Sequence, residues 1–237
     1  MKYFVSVPLI ALCCLLAFAA RPQEKTSASG ALEAVLKKMD QEAANFRTTQ
    51  AEFEWDRYEK VIDEVDDIQS GTIYYRRTGK DKDIEMMADI TKPDRKYVLF
   101  SDGKIRVYQP KPDQVTIYDA GKNRTEVESY LVLGFGGSGE DMEKAFTVTY
   151  LGPETINGVA TAKLQLVPKS EKVRNTFAKI LLWIDLDRGI SVQQQFFEPQ
   201  GDYRLAKYSS IKVNDKISND VFQLKTNGKT QTISPRG

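Results

Sequence analysis

The sequence predicts a mainly β protein: one large, strongly curved antiparallel sheet or an open barrel, with a single amphipathic helix at its N-terminal end. Three observations carry this reading. Apolar residues follow clear helical spacing in one stretch, from Leu32 to Phe46. From Arg47 onward the period changes to two, and strand-like runs recur with hairpin chemistry at many joints, such as Asp102-Gly103, Asn157-Gly158 and Gly201-Asp202. No fixed-period repeat or linker divides residues 31–224, so the strands belong to one body.

The first nineteen residues have the pattern of an export signal. Lys2 supplies a charged start, residues 3–18 are almost continuously apolar, and Ala17-Phe18-Ala19 offers small residues at a cleavage spacing. Cleavage after Ala19 would remove both cysteines, Cys13 and Cys14, leaving an exported chain without a disulfide. The competing reading is a lipoprotein signal acylated on a cysteine, but Leu12 and Cys13 stand where a small residue would precede it. No later apolar run approaches the ~20 residues of a spanning helix. Lys and Arg number 34 against 33 Asp and Glu, a net charge of +1, which is no footprint for nucleic acid. There is no histidine, so His-based acid–base chemistry and the common zinc sites are excluded.

Residues 20–30 read as a polar linker. Leu32, Val35, Leu36, Met39, Ala43 and Phe46 then form one apolar stripe on a helix. Strand-like stretches follow from Thr49, then near 70–77, 83–91, 95–101, 104–109 and 114–119. After an interruption they resume near 146–152, 159–167, 178–185, 190–198 and 203–212, eleven in all. Within the interruption, Glu126–Leu133 looks helical, a glycine run spans Gly134–Gly139, and Glu140–Ala145 makes a short polar helix. The run matches G-x-G-x-x-G formally, yet it follows a helix among hairpins rather than opening one in a βαβ unit, so a hinge or surface loop is the better reading. Residues 227–237 form a C-terminal tail.

Chemical candidates are weak. Asp185 and Asp187 flank a turn and are better explained as turn formers. Asp63, Glu64, Asp66 and Asp67 lack the calcium-loop pattern and read as a solvated hairpin loop. No enzyme activity and no cofactor are expected. What the chain does have is a surplus of large apolar groups on strands: Phe53, Trp55, Met86, Leu99, Val107, Ile117, Trp183 and Phe196. These either fill the interior or line a cavity, and composition alone does not distinguish the two.

In the order of its elements the chain resembles the LolA-type periplasmic lipoprotein carriers over roughly residues 31–226. The resemblance rests on Ala51-Glu52-Phe53 after Phe46-Arg47, on Gly71–Arg77, on Ser101-Asp102-Gly103-Lys104 followed by Val107-Tyr108-Gln109-Pro110, and on the closing Tyr208–Leu224 stretch. It implies an unclosed antiparallel β-barrel of about eleven strands, with a helical lid over an apolar cavity. It implies a monomeric carrier that takes the acyl chains of lipoproteins, or another lipid, from an inner-membrane ABC transporter to an outer-membrane receptor. A lipid-sensing or regulatory module of the same fold is the alternative. By position, Arg77 matches the family's lid latch, and Leu131, Leu133, Gly134, Phe135 and Gly136 fall on lid and hinge. Leu36 and the eight strand residues above would line the acyl-chain cavity. Arg76, pointing to the opposite face, is expected to be a silent control. One departure is that Thr78, rather than the family's usual Pro, follows Arg77.

Overall fold

The computed structural model describes residues 28–78, 83–119, 121, 131 and 133–235. The expected export signal, most of the linker, residues 79–82 and much of 120–132 lie outside the described residues. Helix α1 (Ala28–Asn45) starts three residues inside the stretch read as linker. Strands β1 (Thr48–Glu59), β2 (Glu64–Thr78), β3 (Asp83–Lys92), β4 (Lys96–Ser101), β5 (Lys104–Gln109) and β6 (Gln114–Asp119) follow as a meander. Helix α2 (Gly139–Ala145) leads into β7 (Phe146–Ile156) and β8 (Val159–Pro168). A single turn, α3 (Glu171–Arg174), precedes β9 (Lys179–Asp185), β10 (Ser191–Phe197) and β11 (Tyr203–Val213). A 3-10 turn at Asn219–Phe222 and a short β12 (Gln231–Ile233) end the chain.

All twelve strands form one sheet in the order β12-β6-β5-β4-β3-β2-β1-β11-β10-β9-β8-β7. Two antiparallel meanders, β1–β6 and β7–β11, are joined where β1 pairs with β11, from Thr49↔Val213 to Tyr58↔Tyr203. The outermost strands, β7 and β12, leave the barrel open. Strand β12 falls in the expected tail. It is only three residues long and pairs parallel to β6, so it has no room to display an alternating pattern. The Asp113 carboxylate fixes its approach, accepting hydrogen bonds from Thr230 (2.8 Å) and Asn227 (3.0 Å). The acidic run is a second difference. Glu64, Asp66 and Asp67 lie in β2 rather than in a loop, because strand pairing there leaves Glu64 and Asp66 exposed to water and Asp67 half-buried on the inner face.

The face covered by α1 and α2 is the inner face. There Val35, Leu36 and Met39 of α1 and Met142 of α2 pack on Leu164, Leu166, Ile180, Leu182 and Ile184. Gly139 allows this close approach, since a Cβ there would stand 2.7 Å from the Leu36 carbonyl oxygen. Farther along the same face, Phe46, Phe53, Ile73, Tyr75, Met86, Phe100 and Tyr208 cluster around Phe135. The outer face carries two smaller clusters, one of them closed over by Phe222 from the 3-10 turn.

Arg76 holds that turn in place. Its Nε donates to Glu85 (2.5 Å), Nη1 donates to Asn219 Oδ1 (2.6 Å), and the guanidinium lies 4.0 Å from the Phe222 ring centroid. It faces away from Arg77, as alternation requires, but it is not a silent position. Arg76→Leu is expected to cost about 1–2 kcal/mol, from the lost charged hydrogen bonds and cation–π contact. Amide exchange within 217–224 should quicken while 133–138 is unaffected; equal protection of 217–224 in both proteins would contradict this.

Candidate functional site

The inner face holds a cavity of about 500 Å³ between β1, β2, β3, β10 and β11, lined by Trp55, Ile73, Tyr75, Met86, Phe196 and Tyr208, with Leu131 and Phe177 also on its wall. That volume is in the range of small-molecule sites. Its floor is closed by hydrogen bonds, while Asp56, Arg57, Asp67 and Arg204 place charged residues elsewhere on its lining. Gln194 Nε2 donates to the Leu133 carbonyl (2.5 Å), and the Tyr208 hydroxyl donates to Gln194 Oε1 (3.3 Å). Burial pushes the Tyr75 and Tyr208 phenols well above their ordinary range, so both stay neutral and the floor carries no charge.

The turn at 133–136 is pinned across this face. Phe135 is fully buried, stacked on Tyr75 (5.2 Å between centroids) and edge-on to Tyr208 (4.6 Å). Three of its carbonyls are held: Leu133 by Gln194, Gly134 by the Ser191 amide (2.8 Å), and Gly136 by Arg77. Gly134 and Gly136 adopt φ of +78° and +87°. A Cβ on Gly136 would meet the Phe46 ring at 2.4 Å. In this state the glycines serve left-handed backbone and close approach.

Arg77 reaches from the end of β2. Its Nη1 donates to the Ala43 carbonyl (2.7 Å) in the last turn of α1, and its Nη2 donates to the Gly136 carbonyl (2.6 Å). The guanidinium lies 5.4 Å from the Phe46 ring centroid. Helix α1 has no basic residue in its own last turn, so Arg77 is the cation at its negative end. Desolvation lowers the Arg77 pKa and nearby Asp141 opposes that, leaving the group charged. The helix end it holds is that of α1; residues 126–130 of the expected lid helix lie outside the described residues.

The expected cavity residues divide by strand parity. Trp55, Met86 and Phe196 line the cavity. Phe53, stacked on Trp55 (4.1 Å), and Leu36 lie in the packed inner core. Val107 pairs with inner-facing Val98 and so is on the inner face, but away from the cavity. Leu99, Ile117 and Trp183 are corrections. Leu99 packs with Phe222 on the outer face, and Trp183 packs there with Leu181 and Val192. Arg106 pairs with both Leu99 and Ile117, which places Ile117 on that outer face too. Strands β4 and β9 are apolar on both faces, so apolarity does not identify the side facing the cavity. Sequence reasoning missed Ile73, Tyr75 and Tyr208. Tyr75 and Ile73 share the parity of Arg77, which was the available signal.

Among the described residues no group of three or more His, Cys, Asp or Glu is placed to hold a metal, and no helix is long and apolar enough to cross a membrane. An uncharacterised conserved protein from Thermus thermophilus has a similar fold, with a TM-score of 0.54, 10% identity, and coverage of 86% of this chain and 99% of that one. MucB is also similar, with a TM-score of 0.51 and 13% identity over 87% of this chain and 65% of its own. Lipoprotein LppX from Mycobacterium tuberculosis aligns at a TM-score of 0.48 and 13% identity, covering 79% and 97%. No curated protein sequence matches significantly. The family described as outer membrane lipoprotein carrier protein LolA matches residues 44–225. A match over most of the length, on an open sheet carrying a helix across its inner face, shows that the chain belongs to the LolA family.

Proposed function

We propose that this protein is a periplasmic carrier that takes the acyl chains of lipoproteins, or of another lipid, into the inner-face cavity and moves them from inner to outer membrane. The observation that supports it most is the cavity of about 500 Å³, walled largely by apolar and aromatic side chains, bordered by Leu131 and lying next to the buried Phe135 turn. Each acyl CH₂ moved from water to such a site gains about 0.8 kcal/mol, so no covalent chemistry is needed for retention. Release requires the 133–136 turn to lift, and Arg77 is the latch whose two hydrogen bonds set the cost of lifting it. An ABC transporter at the inner membrane and a receptor at the outer membrane are the partners the family resemblance implies.

A solvatochromic lipid probe should brighten on binding the native protein and be displaced by a diacylated peptide. Native mass spectrometry of protein purified from cells should show a lipid or lipoprotein mass. A native protein that leaves the probe dark and carries no such mass would overturn the carrier reading in favour of a regulatory module.

A further inference from the structure

One end of the cavity is bordered by a row of side chains that the packing of the sheet does not explain. Across β10, β11, β1 and β2 the inner-face row reads Phe196, Arg204, Arg57, Asp67. Arg204 and Arg57 are directly opposite one another on paired strands, and like charges in that position repel. The next row inward along the cavity wall is Gln194, Ala206, Trp55 and Gln69. Two opposed cations therefore stand at the boundary between the apolar cavity and water.

Each cation has a carboxylate neighbour, but neither glutamate bridges the two. Arg57 Nη2 is 3.0 Å from Glu59, and Arg204 Nη2 is 3.4 Å from Glu198. Each glutamate is two residues farther from the cavity along the chain than the inner-face residue of its own strand, Arg57 in one case and Phe196 in the other. Asp67 is in the row, but beyond Arg57 from Arg204, and it accepts a hydrogen bond from Gln69 Nε2. By charge count the rim is not cationic; its selectivity comes from position. A ligand lying tail-first in the cavity presents its head to the row of Arg204, Arg57 and Asp67 before it reaches Glu59 or Glu198, and within that row only Arg57 and Arg204 face one another to share an anion. A guanidinium offers several fixed donors suited to a carboxylate or phosphate.

We infer that the Arg57–Arg204 pair is a head-group site for an oxyanion at the end of an acyl chain, a carboxylate or a phosphate. This rests on the carrier reading of the cavity, which supplies the site for the tail. An anion between the two cations converts a cross-strand repulsion into a bridge.

The test is isothermal titration of the whole protein, below micellar concentrations at pH 8, with three 12-carbon ligands: dodecanoate, dodecyl phosphate and dodecanol. The expected result is that both acids bind about tenfold more tightly than the alcohol, with the preference falling as salt rises. The tighter of the two acids identifies the head group. In the double variant Arg57→Gln, Arg204→Gln the acid-to-alcohol ratio should collapse toward one. In Arg95→Gln, a surface arginine paired with Asp89 away from the cavity, the ratio should persist. Misfolding is checked by Tm, which the double variant should keep or raise because opposed charges are removed. Equal affinity for acids and alcohol overturns the head-group site and leaves the carrier reading standing, as does a ratio that survives in the double variant. Failure of all three ligands to bind overturns the carrier reading itself.

Discussion

Arg77→Leu is expected to free the 133–138 segment while leaving the sheet assembled. The side chain makes two charge-assisted hydrogen bonds, to Ala43 and Gly136, each worth about 1.5–3 kcal/mol in general. Partial exposure of the group reduces that, so a net loss of about 2–4 kcal/mol is expected for the segment. At about 1.4 kcal/mol per factor of ten, amide exchange in 133–138 should accelerate on the order of 100-fold. Residues 40–46 should follow, because the same guanidinium holds the last turn of α1. The outer-face segment 217–224 should not respond, since Arg76 rather than Arg77 holds it. Arg77→Lys should recover only part of the effect, because a compact ammonium does not offer the spread donors that bridge two carbonyls. Bound lipid should dissociate faster from Arg77→Leu in proportion to the opening. Unchanged exchange in 133–138 would remove the latch role from Arg77.

Gly71→Ala carries the largest expected effect on stability. A Cβ at this position would stand 2.0 Å from the Asp89 carbonyl oxygen and 2.9 Å from Ile90 Cα, both backbone atoms of the neighbouring strand. Backbone does not yield as a side-chain tip does, and Gly71 lies at a register irregularity between β2 and β3, with Phe53 opposite on β1. Overpacking of this kind costs roughly 3 kcal/mol or more. For a domain of this size that lowers Tm by about 10 °C. Gly158→Ala is the informative comparison. Its φ is +81° and nothing lies within 4 Å of the added Cβ, so the substitution carries only the left-handed backbone penalty of about 1–2 kcal/mol. Thermal melts in which Gly158→Ala is the more damaging of the two would show that the β2–β3 contact is looser than its geometry implies.

Much of the architecture is local chemistry and was legible in the sequence. The stripe from Leu32 to Phe46 reports helix α1 because burial on one helical face requires that spacing. Asp102-Gly103 and Asn157-Gly158 report hairpins because those residues accept the positive φ the turns demand, and all four adopt it. The short polar helix read over Glu140–Ala145 is α2, whose start the structure shows capped by the Ser138 hydroxyl accepting from the Asp141 amide. The opposite orientations of Arg76 and Arg77 follow from strand parity alone.

Tertiary structure decided the rest. That β1 pairs with β11 depends on residues more than 140 positions apart, and no local pattern encodes such a partner. Strand β12 exists because β6 offers an edge and Asp113 holds the incoming turn. Leu99 and Trp183 differ from Met86 and Phe196 only in the face they occupy, and both faces of β4 and β9 are apolar. Alternation identifies an inner face only where the other face is wet. Where both faces of a strand are covered, as in β4, whose outer face lies under the 217–224 segment, and β9, whose inner face lies under α1, every position selects for the same greasy side chains, and only the assembled sheet distinguishes the wall of the cavity from its back.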